Sequence, residues 1–129
     1  YERFKIGPGP IDFQDSPSNV MPAESDNRFL KPVVVLTDRG CYSATTTLAY
    51  SMNPLSNVTF MGQRTGGGSG SVTDGFLANG WHWSLSSSEF IDHLGNHLDD
   101  GIDPDIEVIF DNTNQSQDEI LEEALLYLQ

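Results

Sequence analysis

The chain has 129 residues, enough for one domain with a modest core and too few for two of ordinary size. Lys and Arg number 6 against 19 Asp and Glu, a formal net charge of -13, so no surface is built to neutralise phosphates, and neither nucleic acid nor membrane contact is expected of this segment. A single cysteine, Cys41, excludes an internal disulfide, and no apolar run approaches the roughly 18 residues that span a bilayer.

Tyr1 to Ile6 reads as a short strand, and the stretch that follows to Leu30 is a long loop of Pro, Gly, Ser, Asp and Asn, which bury little apolar surface. Residues 1–31 are therefore expected to be a strand plus a loop. The chain opens on Tyr1 without a methionine or a visible signal peptide, and its start is expected to be incomplete. Pro32-Val33-Val34-Val35-Leu36 is a β-branched run, the pattern of a central strand covered on both faces in a parallel sheet. A turn at Thr37 to Gly40 leads into a helix predicted over Ser43 to Asn53, with Ala44, Leu48, Ala49 and Met52 at helical spacing and Pro54 as its stop. Threonines at 45, 46 and 47 are poor helix formers, so packing must hold this helix. Val58 to Met61 is a second buried strand, which makes residues 32–62 a β-α-β unit with parallel pairing and a right-handed crossover.

Residues 63–110 begin with Thr65-Gly66-Gly67-Gly68-Ser69-Gly70, where the backbone must take unusual conformations or approach something closely. Val72 to Ala78 and Trp81 to Leu85 flank Asn79-Gly80, a strong hairpin signal, with Trp81, Trp83 and Leu85 on one face; such aromatics more often serve a core than a binding platform. Gly101 to Ile109 runs into a last strand, and Asp103 and Asp105 around Pro104 are expected to fix a turn. Residues 116–129 carry a helix opened by the capping box Ser116-Gln117-Asp118-Glu119, with a stripe of Ile120, Leu121, Ala124, Leu125 and Leu128. The fold class is α/β, with a β-hairpin and a C-terminal helix.

Ser43 is the residue with the most chemistry. It follows a buried strand and opens a helix, where free amides and the helix dipole favour developing negative charge, and the Ala44 N–H could stabilise an oxyanion formed when Ser43 attacks a carbonyl. A serine at this position is also an ordinary helix cap. A hydroxyl needs a base within hydrogen-bond reach, and the chain offers His82, His93 and His97. His82 lies between two tryptophans and should face solvent. His93 and His97 share a loop with Asp92, Asp99 and Asp100, but their spacing fits no metal motif, and no metal is expected. The glycine-rich loop lacks the Gly-Lys-Ser/Thr ending that grips nucleotides, so no cofactor is expected, and a flexible rim of a peptide cleft suits it better.

Four blocks occur in order: Lys31-Pro-Val-Val-Val-Leu-Thr-Asp-Arg-Gly-Cys-Tyr-Ser-Ala44, Asn57-Val-Thr-Phe-Met-Gly-Gln-Arg-Thr-Gly-Gly-Gly-Ser-Gly70, Asn79-Gly-Trp81 and Gly101-Ile-Asp-Pro-Asp-Ile106. Together they resemble the C-terminal processing (tail-specific) serine peptidases, most closely the bacterial members that look like the tricorn core. The resemblance implies the C-terminal part of a crotonase-like β-α-β spiral, with Ser43 as nucleophile and Ala44 N–H in the oxyanion hole. Where the Ser/Lys members carry their lysine this chain has Gly68, so a Ser-Lys dyad is not expected. The tricorn-like branch uses a histidine from an upstream segment and an acidic partner near Asp99 or Asp100. The resemblance further implies peptide or unfolded protein as substrate, an exported parent, periplasmic or at the cell surface, and a peptide-binding accessory domain elsewhere in it; self-association is left open. Two other expectations stand beside this one: a non-catalytic peptide- or ligand-binding domain that keeps the fold, and an interaction domain whose hairpin edge pairs with a partner strand.

Overall fold

The computed structural model describes residues 2–9, 12–16, 28–92, 94–110 and 117–129. The β-branched run becomes β3 (Val33–Thr37), followed by helix α1 (Ala44–Met52) and β4 (Val58–Gly62). β3 and β4 pair in parallel, Val35 opposite Phe60 and Leu36 opposite Met61, and the short β8 (Ile106–Glu107) adds in parallel on the other side of β4. The order β3-β4-β8 corrects one expectation: among the described residues β4 is central and β3 lies at the edge. A β-branched run reports burial of its faces, not the presence of a neighbour on both sides.

Both faces of this sheet are covered, and strand alternation decides what each face meets. Val35, Val58 and Phe60 join Ala49, Tyr50 and Met52 of α1, with Ile102, in one apolar cluster. Val34, Met61, Ile106 and Val108 join Ile120 and Ala124 of helix α2 (Glu119–Tyr127) in the other. Phe60 and Met61, successive residues on the middle strand, are the largest fully buried side chains and point to opposite layers. Each contributes about 1.5–3 kcal/mol of burial free energy. Asp105 fastens the same strand, its Oδ2 accepting the Phe60 N–H at 2.8 Å, so it latches the β8 segment to β4 rather than merely shaping a turn.

Two further sheets sit beside this layer. β1 (Glu2–Lys5) is flanked by β2 (Phe13–Asp15) and β7 (Ser88–Phe90), both antiparallel to it. β2 lies in the stretch expected to be loop, and β7 was not expected either; three residues are too few to show a period. The hairpin is present as β5 (Val72–Phe76) and β6 (His82–Ser86). Its aromatic face is not core: Trp81 is 71% and Leu85 63% exposed, and only Trp83 is partly covered, across Gly75. A two-stranded sheet supplies no opposing layer to bury that face.

α2 starts later than its sequence suggests. Ser116, the expected cap, lies outside the described residues, and Asp118 caps the helix instead, its carboxylate accepting the Leu121 N–H at 3.0 Å. Of the apolar stripe, Ile120 and Ala124 are buried, while Leu121, Leu125 and Leu128 are exposed.

Candidate active site

The chain between β3 and α1 is a sharp elbow. Asp38 closes its first turn, accepting the Gly40 N–H through Oδ1 and the Cys41 N–H through its carbonyl. Tyr42 to Thr45 closes the second, the Thr45 N–H donating to Tyr42 O at 3.3 Å. Ser43 takes φ 58° and ψ −116°, the values of the second residue in a type II′ turn, where glycine is the usual occupant. It is the one non-glycine among the described residues with positive φ. Holding a side chain there costs on the order of 1–3 kcal/mol, which the surroundings must offset.

The Ser43 side chain does not cap α1. The residue is exposed, in front of the helix N-terminus, and Ala44, the first helical residue, has no intrahelical acceptor for its N–H. An exposed hydroxyl beside a free amide, at the positive end of a helix dipole, is an arrangement that can attack a carbonyl and stabilise the resulting oxyanion.

The pairing of β3 with β4 continues past both strand ends. Gln63 N–H donates to Thr37 O and Thr37 Oγ1 to Gln63 O; Gly66 N–H then donates to Cys41 O, and Ser43 N–H to Gly67 O at 2.8 Å. The glycine-rich loop is thus not a free rim but a continuation of the sheet. At Gly67, φ is 78° and a Cβ would run into the Asp99 carbonyl; at Gly68, φ is 63° and a Cβ would overlap the Tyr42 ring. Backbone conformation calls for glycine at both positions, and at Gly67 the close neighbour is backbone that cannot swing aside.

The candidate bases and acids are dispersed. His82 pairs with Asp74 at 3.1 Å on the hairpin, and His97 Nδ1 lies 3.1 Å from Glu89, which also meets Arg3. His93 lies outside the described residues. Neither described histidine hydrogen-bonds to Ser43. Asp99, in a single 3-10 turn at Leu98–Asp100, accepts the Ser69 N–H at 3.0 Å, so it belongs to the loop that holds Ser43; Asp100 instead gives its carbonyl to Arg64 Nε.

Asp92 is the residue whose role the sequence did not reveal. It is 9% exposed, and its carboxylate accepts the Leu94 and Asn96 N–H groups, both at 2.7 Å, Asn96 Nδ2 at 2.8 Å, and the Tyr50 hydroxyl. Burial alone would raise its pKa, but these donors outweigh burial and hold the carboxyl well below its ordinary range. Tyr50 is pushed up by burial, and further by the neighbouring carboxylate. With its lone pairs taken, Asp92 is a structural anchor, and no group of three metal-ligating side chains forms among the described residues. Tyr50 and Asp92 border a cavity of about 600 Å³ together with Asn96, His97 and Asp100. It opens at the C-terminal end of α1, roughly 13 Å along the helix from Ser43, which does not line it.

The sequence profile described as peptidase family S41 matches residues 7–108. Among solved structures, a candidate peptidase from Parabacteroides merdae ATCC 43184 superposes with a TM-score of 0.86 at 39% identity, over 99% of this chain and 41% of its own. The tricorn protease gives a TM-score of 0.65 at 18% identity, over 87% of this chain and 12% of its own. Mature CPAF complexed with lactacystin gives 0.61 at 20%, over 80% and 20%. The last two are likenesses of fold, and this chain spans less than half the length of each of the three proteins. Among curated proteins no match was found. With the α/β architecture of the crotonase-like fold and a family match over most of its length, the chain belongs to peptidase family S41.

Proposed function

We propose that the chain is the C-terminal half of a serine peptidase catalytic domain that cleaves peptide bonds through an acyl-enzyme on Ser43. The observation that carries this is the strained, exposed and uncapped Ser43 at a strand-to-helix elbow. Strain at a position where glycine would be relaxed persists when the side chain has a use. In the reaction Ser43 Oγ adds to the substrate carbonyl carbon and its proton passes to a base. The Ala44 N–H, with a second donor from another segment, stabilises the oxyanion. The C–N bond then breaks, the amine takes the proton from the base, and water repeats the addition to release the acid. The likeness to the tricorn-like members favours a histidine from a segment outside this chain as the base, while His82 and His97 are engaged by Asp74 and Glu89. Residues 1–129 alone are accordingly inactive. Substrates are peptides or unfolded proteins, and the parent works outside the cytoplasm, in the periplasm or at the cell surface.

The test is covalent. Full-length protein treated with a fluorophosphonate is expected to carry one adduct on Ser43, absent from Ser43→Ala. If wild type and variant label alike, or neither labels, the peptidase assignment fails and the domain is a binding module on a peptidase fold.

A further inference from the structure

We infer that Thr46 is a positioning residue for Ser43, acting through the Gly67 carbonyl; this rests on Ser43 being the nucleophile. Threonines inside helices ordinarily turn their hydroxyl back to the carbonyl four residues earlier. α1 supplies its own comparison: Thr47 Oγ1 reaches Ser43 O and Ser51 Oγ reaches Thr47 O, both in that pattern. Thr46 departs from it. Its Oγ1 lies 3.0 Å from Gly67 O and 3.1 Å from Cys41 O, so its single proton is shared between two carbonyls outside the helix, one of them 21 residues away. The side chain is completely buried, 0% exposed, although it is polar and a poor helix former.

The two acceptors are the carbonyls that define the elbow. Cys41 O also receives the Gly66 N–H, and Gly67 O also receives the Ser43 N–H at 2.8 Å. One hydroxyl therefore joins the elbow before Ser43, the first turn of the helix after it, and the loop that holds its amide. Gly67 cannot shift freely either, with Asp99 backbone against it. A positive φ at a serine survives only where neighbouring contacts over-determine it. Thr46 is the side chain that closes this set of contacts, and its hydroxyl, more than its volume, is the essential part.

Thr46→Val keeps the volume and removes the hydroxyl; Thr46→Ser does the reverse. In the full-length protein, Thr46→Val is expected to slow fluorophosphonate labelling of Ser43 and lower kcat by roughly 10- to 100-fold, with KM nearly unchanged, the scale of a small misplacement of a reacting atom. Thr46→Ser is expected to restore both despite its lost methyl group. If the two variants lose rate only in step with their melting temperatures, the residue is merely structural and the inference is wrong. A crystal structure of Thr46→Val decides the matter without activity: Ser43 should leave positive φ or its N–H should part from Gly67 O, and retention of both overturns the tether. Should wild type fail to label at Ser43, the peptidase assignment falls while this structural comparison still decides the tether. If Thr46→Val does not fold, Thr46→Cys, a weak donor of similar size, takes its place.

Discussion

The ring of Tyr42 stands against the backbone of Gly68, filling the space that any side chain at position 68 would need. A lysine there must displace the exposed Tyr42 ring and, at greater cost, hold a φ of 63°. Gly68→Lys is therefore expected to lose about 1–3 kcal/mol of stability in urea unfolding. It should gain no lysine-dependent limb in the pH profile of Ser43 labelling. A stable variant with such a limb would show that Tyr42 can yield the space.

Ser43 itself offers a stability test independent of substrate. Glycine accepts φ 58° without strain, while alanine keeps a Cβ. Ser43→Gly is expected to be about 1 kcal/mol more stable than Ser43→Ala, with both unlabelled by fluorophosphonate. Equal melting temperatures would mean that the elbow carries no strain.

Asp92 and Tyr50 set opposite limbs of the pH-stability curve. The Asp92 pKa is lower folded than unfolded, so between the two values the unfolded chain binds more protons. Its contribution is present above the unfolded value of about 3.9 and is lost as pH falls towards the folded one. The Tyr50 pKa is raised, so its contribution holds below the unfolded value of about 10 and is lost as pH rises beyond it. Asp92→Asn should flatten the acid limb and Tyr50→Phe the alkaline limb, read as unfolding midpoints against pH. An unchanged acid limb in Asp92→Asn would show that other carboxylates govern it.

Asp105→Ala removes the acceptor of the Phe60 N–H on the central strand. Leaving that donor unpaired should cost about 1–3 kcal/mol, and Asp105→Asn, which keeps a carbonyl oxygen, should cost less. Amide exchange at Phe60 checks the cause: it should accelerate in Asp105→Ala. No change there would relieve Asp105 of the latch role.

Much of the layer that carries Ser43 was legible in the sequence because its signals are local. A β-branched run, a proline stop and a glycine cluster mark β3, the end of α1 and the loop, and the ordered blocks point to Ser43. What stayed hidden depends on partners distant in sequence. Thr46 looked like a liability in a helix, since nothing near it reveals that Gly67 O will accept its hydroxyl. Asp92 read only as one acid among several in a histidine-bearing loop, because the donors that occupy it include Tyr50, far away in the chain. The tryptophans misled for a related reason: alternation tells which residues share a face, not whether another layer covers it.

That uncovered hairpin governs how unfolding can be watched. Both tryptophans of the chain, Trp81 and Trp83, belong to it, and β5 and β6 share no strand with the sheet around Phe60. Intrinsic emission is therefore expected to monitor the hairpin, with Trp81, 71% exposed, expected to emit red-shifted even in the native state. A melt followed by fluorescence can finish before the parallel sheet gives way, and far-ultraviolet dichroism of α1 and α2 is the probe that follows the framework behind Ser43.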